Sequence, residues 1–267
     1  MKKLRNGLYA VLNSTSSDSS DYRIAKYLIS NIYKLKKISV EDIAKGSFVS
    51  KSTVSRFCRR LGYEDYQSMR QTMHVALTGR YHRYDEYLAL PKEDMTREYF
   101  RHHVEMLHVV REYATDEVLE QFSKLLLKYE NIGLCAQMHA YPIALNFQME
   151  LSSYNKIANC FNILPEQENF IQQCGSETLI IVISSSGRYF EDFQSYFDYT
   201  KQNRPYLVLV TNNQRLKASR PYDKIFIIPS DNNTASQPMS MQIFTNLVTM
   251  HFGKMLREKN ENILTDG

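Results

Sequence analysis

Residues 39 to 62 read Ser39-Val-Glu-Asp-Ile-Ala-Lys-Gly-Ser-Phe-Val-Ser50-Lys-Ser-Thr-Val-Ser-Arg-Phe-Cys-Arg-Arg-Leu-Gly62, and this stretch decides the first part of the fold. Ser39 is placed to cap a short helix carrying Val40, Ile43 and Ala44. Gly46 is placed to stop that helix, because glycine tolerates the left-handed backbone common at helix ends. Ser50 then caps a third helix that runs to about Leu61 and ends at Gly62. Helix, tight turn, helix predicts a helix-turn-helix. Within the third helix, Val54, Phe57, Cys58 and Leu61 share one apolar face. Ser52, Ser55, Arg56 and Arg59 repeat the same spacing, offset by about 200°.

That polar stripe has the chemistry of a major-groove reader. Arginine can donate two bonds to guanine, and short hydroxyl side chains permit close approach. In helix-turn-helix proteins the N-terminal residues of the second helix reach base edges. Lys51, Ser52, Thr53, Ser55 and Arg56 are therefore the candidate readers. Arg59, Arg60 and Lys45 are the candidate phosphate contacts. Charge agrees: residues 1–80 hold 15 Lys and Arg against 6 Asp and Glu, whereas the other 187 residues hold 18 against 23. A basic first third on an acidic remainder points to two modules, the first facing a polyanion.

Upstream, residues 4–12 suit a short helix. The polar run Asn13 to Ser20 precedes a second helix, with Asp18 as N-cap, Asp21 three residues on, and Ile24, Leu28, Ile32 and Leu35 as its buried stripe. Downstream, residues 79–97 read as a partly helical linker around Pro91, with Tyr81, Tyr84 and Tyr87 as packing groups. Helices are expected over 97–113 and over 116–129, the latter capped by Thr115 or Asp116. Leu107, Val110 and Tyr113, with Leu119, Phe122, Leu125 and Leu126, would supply core faces, or else a dimer contact.

Beyond residue 130 the pattern changes. Ile132–Cys135, Leu179–Ile183, Leu207–Val210 and Ile225–Ile228 are short continuous apolar runs, and a further strand is expected near Lys156–Cys160. Strands apolar on both faces suit a parallel sheet covered by helices. The intervening helices are expected at 140–153, 188–202 and 238–257. The fold class is α+α/β: an all-α helix-turn-helix domain followed by a three-layer α/β parallel-sheet domain. The expected boundaries are 1–78 for the first domain, 79–104 for the linker, 105–259 for the second domain and 260–267 for a tail.

The strand Thr178–Ile183 ends in Ser184-Ser-Ser-Gly-Arg188. Ligands of parallel α/β sheets sit beyond the carboxyl ends of strands. Hydroxyls, a glycine and a helix N-terminus together make an anion cradle, and phosphate is its natural ligand. Thr211-Asn-Asn213 ends the next strand in the same way.

Several classes are excluded. No apolar run approaches a membrane span, and no signal-peptide pattern opens the chain. Cys58, Cys135, Cys160 and Cys174 lack CxxC spacing, which excludes a zinc ribbon and fits a reducing cytoplasm. Cys58 falls on an apolar helix face and reads as core. His102, His103 and Glu105 lack clean metal-ligand spacing and read as a solvated helix face. His139, Glu150 and Glu191 are candidate acid/base groups for an isomerase, with a helix-start histidine and solvated glutamates as the favoured reading. No metal or cofactor is expected.

The two constellations occur in one order in a known family. Ile24-Ala-Lys-Tyr-Leu28, Ser39-Val-Glu-Asp-Ile-Ala44, Val49 through Gly62-Tyr63, and Tyr66-Gln-Ser-Met-Arg70 resemble the helix-turn-helix half of the RpiR family of bacterial transcription regulators. Ile183-Ser-Ser-Ser-Gly-Arg188, followed by Glu191, resembles the phosphate loop of that family's sugar isomerase (SIS) domain. The resemblance covers roughly 1–77 and 105–258. It implies that Ser184, Ser185, Ser186 and Gly187 hold the phosphate of a sugar phosphate; Thr211, at the end of the next strand, and Tyr189 and Gln137, at positions of the family's pocket pattern, are the further candidate ligand contacts. It also implies a homodimer or tetramer on operator DNA, controlled by a phosphorylated sugar effector, and not an enzyme. The chain departs from the pattern at Tyr189, where threonine is usual, and at Gln137 and Met138, where a ligand-binding serine is usual. It departs again over Asn232–Pro238, where a glutamate is usual. Two alternatives follow: a SIS domain that only dimerises, or a sugar-phosphate isomerase.

Overall fold

The structure, a computed structural model, describes residues 2–32, 34–72, 84–193, 198, 200, 202–216, 221–230 and 235–265. Among these, residues 2–72, 162–169 and 193 form one compact unit, and the described residues of 84–161, 170–192 and 198–265 form another.

The first unit is all helical. Its elements are α1 (Lys2–Ser14), α2 (Ser20–Ser30), α3 (Val40–Gly46), α4 (Lys51–Arg60) and α5 (Tyr66–Thr72). The cap of α2 is Ser19, not Asp18: the Ser19 hydroxyl accepts from Tyr22 N–H. Asp18 instead lends its carbonyl to the Arg23 guanidinium at 3.0 Å. Ile24, Leu28, Ile32 and Leu35 are all buried, but the last two lie beyond the end of α2. With Leu4, Leu8, Ile43, Val54 and Phe57 they close one apolar core.

Gly46 does not take the left-handed turn expected of it. It is the last residue of α3, and Phe48 carries the positive φ of 55°. Gly46 is glycine for another reason: a Cβ there would lie 2.0 Å from the Tyr27 ring. Gly62, after α4, does adopt φ 80°.

The second unit opens with α6 (Asp85–Leu88) and α7 (Lys92–Tyr113), so the helix expected from 97 begins five residues earlier. Tyr81 lies outside the described residues. Tyr87 is buried, stacked edge-on against Tyr99 and His102. His103 is buried rather than solvated, its Nδ1 2.7 Å from the Tyr99 carbonyl oxygen. Met106 and Val110 complete the buried face, and Leu107 points outward. The helix α8 (Asp116–Lys128) is capped by Thr115 and buries Leu119, Phe122 and Leu126.

Five strands follow: β1 (Asn131–Ala136), β2 (Ala158–Cys160), β3 (Thr178–Ile183), β4 (Tyr206–Thr211) and β5 (Lys224–Ile227). They form one sheet, ordered β2-β1-β3-β4-β5, with every pairing parallel. The intervening helices are α9 (Tyr141–Ser152) and α10 (Leu164–Gln173), and α11 (Gln237–Thr265) closes the chain. Ile132, Leu134, Leu179, Ile181, Val208 and Phe226 face a core shared with α8, α9 and α11. The opposite face meets α10: a Cβ on Gly133 would lie 2.5 Å from the Phe170 ring. The fold class is thus α+α/β, with helices on both faces of an all-parallel sheet. The sequence reading missed α10. It also placed a helix over 188–202, where the described residues contain only a single 3-10 turn, Tyr189–Asp192.

Among the described residues, no helix is long and apolar enough to cross a membrane.

Candidate nucleic-acid interface and anion loop

Local chemistry sets α3 and α4 at their angle. The Ser39 hydroxyl accepts from Asp42 N–H at 3.1 Å, and the Asp42 carboxylate accepts from Ser39 N–H at 2.8 Å, a reciprocal cap. The Ser39 hydroxyl also donates to that carboxylate at 2.7 Å, and this bond first, then the Ser39 N–H, holds the Asp42 carboxyl below its ordinary value. Ser47 N–H and Val49 N–H then donate to the carbonyls of Ile43 and Ala44, both at 2.9 Å, and so turn the chain. Arg23 Nε fixes the turn from α2 by donating to the Ser47 carbonyl at 3.1 Å. Ser50 starts α4, its hydroxyl accepting from Thr53 N–H at 3.2 Å.

Every member of the expected apolar face of α4 is buried: Val54, Phe57, Cys58 and Leu61. Burial pushes the Cys58 thiol up to about 12, so it is a packing group. On the other side, Lys51, Ser52, Arg56, Arg59 and Arg60 are exposed, and Thr53 and Ser55 are half-buried. The Arg56 guanidinium donates to the Thr53 hydroxyl at 3.3 Å, and that of Arg59 to the Ser55 hydroxyl at 3.5 Å. Both arginines lie back along the stripe, where they meet no carboxylate in the described ion pairs.

Two basic residues are already engaged. Lys51 pairs with Glu41, whose carboxyl it holds low, and Arg60 pairs with Asp21. The Lys51–Glu41 pair is exposed on both sides and so is weak, and a phosphate can displace its carboxylate. Lys45 is exposed at the end of α3. Sequence reading gave α5 no part in the interface. Gln67, Arg70 and Gln71 of α5 line a groove of about 640 Å³ together with Ser39 and Ser55. The signal was present in the polar spacing of Gln67, Arg70 and Gln71.

In the second unit, Ser184–Gly187 follows β3 directly. Gly187 adopts φ 71°, which is open to glycine. The loop is tied to the end of β4. The Thr211 hydroxyl donates to the Ser185 carbonyl at 3.1 Å, and the Asn213 amide donates to the Ser186 carbonyl at 2.8 Å. Two of its N–H groups already have protein partners: Ser184 donates to the Val210 carbonyl of β4 and Gly187 to the Ser184 carbonyl, while the Arg188 N–H just beyond the loop donates to the Ser186 hydroxyl. The expected helix N-terminus behind the loop is replaced by the short Tyr189–Asp192 turn.

The structure brings together Ser184, Ser185, Ser186, Gly187 and Thr211. Tyr189 is buried, and so is Cys135, whose thiol burial pushes up to about 12. Gln137 is half-buried at the end of β1, before Met138 at φ 56°. His139 is exposed, as are Glu150 and Glu191. Residues 232–234 of the Asn232–Pro238 segment lie outside the described residues. Among the described residues, no group of three His, Cys, Asp or Glu side chains could hold a metal.

Comparison with known proteins adds the following. Residues 10–79 match the family described as "Helix-turn-helix domain, rpiR family". A 64-residue stretch is 31% identical to an uncharacterized HTH-type transcriptional regulator of Caldanaerobacter subterraneus subsp. tengcongensis, covering 24% of this chain and 23% of that protein. The chain thus spans about a quarter of that relative's length. Among solved structures, the Vibrio vulnificus NanR protein complexed with ManNAc-6P aligns over 99% of both chains, at 15% identity and a TM-score of 0.47. The E. coli CFT073 protein c3406 aligns over 63% of this chain and 94% of its own, at 13% identity and a TM-score of 0.48.

Proposed function

From the premise that residues 10–79 are a helix-turn-helix domain of the rpiR family, we propose that the chain is a transcription regulator that reads operator DNA with α4. One observation carries the reading. The α4 helix is capped at Ser50 and buried along Val54, Phe57, Cys58 and Leu61, so Ser52, Ser55, Arg56 and Arg59 are held outward as one rigid stripe. Arg56 and the hydroxyls near the helix N-terminus are base readers. Lys51 joins them at the helix start, and Arg59, Arg60 and Lys45 neutralise phosphates. The protein acts as a homodimer, or a pair of dimers, in the cytoplasm. Two reading helices then enter successive major grooves, roughly 34 Å apart.

The second unit is a sensor in this reading and not an enzyme. A phosphorylated sugar seats its phosphate against the hydroxyls of Ser184, Ser185 and Ser186, where Gly187 lets the backbone approach. To regulate, it must bind the DNA-competent and DNA-incompetent states unequally. A second reading, in which this unit only joins protomers, is favoured by the protein partners already held by the Ser184, Gly187 and Arg188 N–H groups.

The test is selection of binding sites from genomic fragments with the whole purified chain, followed by fluorescence anisotropy on the selected site. Arg56→Ala is expected to cost about 1–3 kcal/mol on that site and to relax preference at one base pair. Wild-type protein that selects no sequence, or an Arg56→Ala variant with unchanged affinity and specificity, overturns the assignment.

A further inference from the structure

The helix α7 carries two faces. His103, Met106 and Val110 turn into the core of the second unit. On the outside, Phe100, Val104 and Leu107 are 63%, 49% and 45% exposed. They do not stand alone. Glu93, Arg97, Phe100, Val104, Leu107 and Arg111 are all exposed and are spaced alternately by four and three residues along the helix. That is the 3.5-residue repeat of a helix-pairing seam, apolar in the middle and charged at its ends. Clustered apolar surface of this kind marks an interaction site rather than ordinary solvated surface.

We infer that this seam pairs with the same helix of a second copy of the chain, antiparallel, across a twofold axis beside residue 102. The charges decide both the partner and the direction. In the antiparallel arrangement Phe100 meets the partner's Val104, and Arg97 lays its stem over the partner's Leu107. Glu93 then meets the partner's Arg111 at each end. A parallel arrangement would set Glu93 against the partner's Glu93 and Arg111 against the partner's Arg111, which is repulsive. The one like-charge approach on the axis flank is Arg101. Its guanidinium is neutralised by Glu98 at 2.8 Å and Glu105 at 2.7 Å. Asp94 and His108 flank the seam so that each lies near the other's counterpart. The ion pairs that Arg97 makes with Asp94 and Arg111 with Glu112 are exposed and exchange at little cost. An isologous contact of this type closes on itself and produces a dimer, not a filament.

This inference deepens the dimeric regulator proposed above by naming a surface, and its test separates the two. Sedimentation velocity on the full chain over a range of concentrations gives the dimer dissociation constant. Val104→Glu, at a half-exposed position that the fold does not need, is expected to raise that constant by at least about tenfold. Glu93→Arg alone is expected to weaken the dimer, and adding Arg111→Glu to the same chain is expected to restore it. Wild-type protein that is monomeric throughout overturns both the dimeric reading and this seam. A wild-type dimer that Val104→Glu leaves unchanged overturns the seam alone. A dimer lost in Val104→Glu but not rescued by the double charge exchange overturns the antiparallel pairing.

Discussion

Ser50 and Thr211 each hold a polar surface in place with one hydroxyl, but over different distances along the chain. Ser50 accepts from an amide three residues ahead, at 3.2 Å, and the whole of α4 follows from that local bond. Thr211 donates to a carbonyl 26 residues behind it, at 3.1 Å, in the loop that follows the neighbouring strand. The reading face of the first unit is therefore built by rules that act within one turn of helix. The serine loop of the second is built by the sheet that brings β3 and β4 side by side. A helix face is rigid before it meets DNA. In the loop, the Ser184 N–H is already bonded to β4 and the Gly187 N–H to the Ser184 carbonyl, so the loop has fewer N–H groups to offer an anion than the exposed stripe of α4 has side chains to offer DNA.

The largest effect that could remove this contrast is a ligand at the loop. A sugar phosphate bound only by the folded state stabilises it by about 2.7 kcal/mol when present at about 100 times its Kd. A thermal-shift screen against sugar phosphates and amino-sugar phosphates, with inorganic phosphate as control, is expected to find one such compound. Ser186→Ala is expected to abolish the shift, since Ser186 is the exposed hydroxyl of the loop. A flat screen leaves the second unit as a joining module, and the contrast with α4 then becomes one between a reader and a scaffold.

What the sequence made legible follows the same division. The helices α3 and α4, their serine caps and the buried Val54, Phe57, Cys58 and Leu61 were readable because a period of 3.6 and a cap are both local. Errors appeared where two local signals competed or a tertiary contact decided. Asp18 and Ser19 are both capping residues, and the chain uses Ser19. Gly46 looked like a left-handed helix stop, yet the Tyr27 ring is what excludes a side chain there, and Phe48 takes the strained turn. Leu107 was grouped with Val110 by apolar spacing, but the core face of α7 is set by His103, Met106 and Val110. The helix α10 is hard to read from sequence because Leu164–Gln173 shows a sparse apolar stripe, and most of its residues are Glu, Gln or Asn. The strands were found by their apolar runs. Neither the strand order nor the bonds from Thr211 and Asn213 to the serine loop can be read from any single segment.

Breaking the long-range bond itself gives the next effect in size. Thr211 is fully buried, and its hydroxyl both donates to the Ser185 carbonyl and accepts from Asn213 N–H at 3.1 Å. Thr211→Val keeps the shape and strands both partners, at a cost of about 1–3 kcal/mol. Urea unfolding is the measurement, and the loss should appear as a lower midpoint with an unchanged slope. An unchanged midpoint would mean that the loop is not held by this residue, and that its link to β4 is incidental.

The smallest effect belongs to the local side of the comparison, and pH exposes it. Asp42 accepts from the Ser39 hydroxyl at 2.7 Å and from Ser39 N–H, and its carboxyl is held below the ordinary aspartate value, chiefly by that hydroxyl. A depressed carboxyl contributes stability that is complete above its unfolded value and is lost as pH falls through the lower folded value. Ser39→Ala removes the hydroxyl that does most of the depressing. Its melting temperature should therefore lie below wild type at neutral pH, and the gap should narrow in acid as Asp42 takes up its proton in both chains. Melts followed by circular dichroism from pH 7 down to about pH 3, spanning the usual aspartate range, measure the gap. A gap that stays constant with pH would show that the serine acts only as a cap for Asp42 N–H. The reciprocal half of the box would then contribute nothing to setting α3 against α4, and the orientation of the reading helix would rest on its buried face and on the turn bonds of Ser47, Val49 and Arg23.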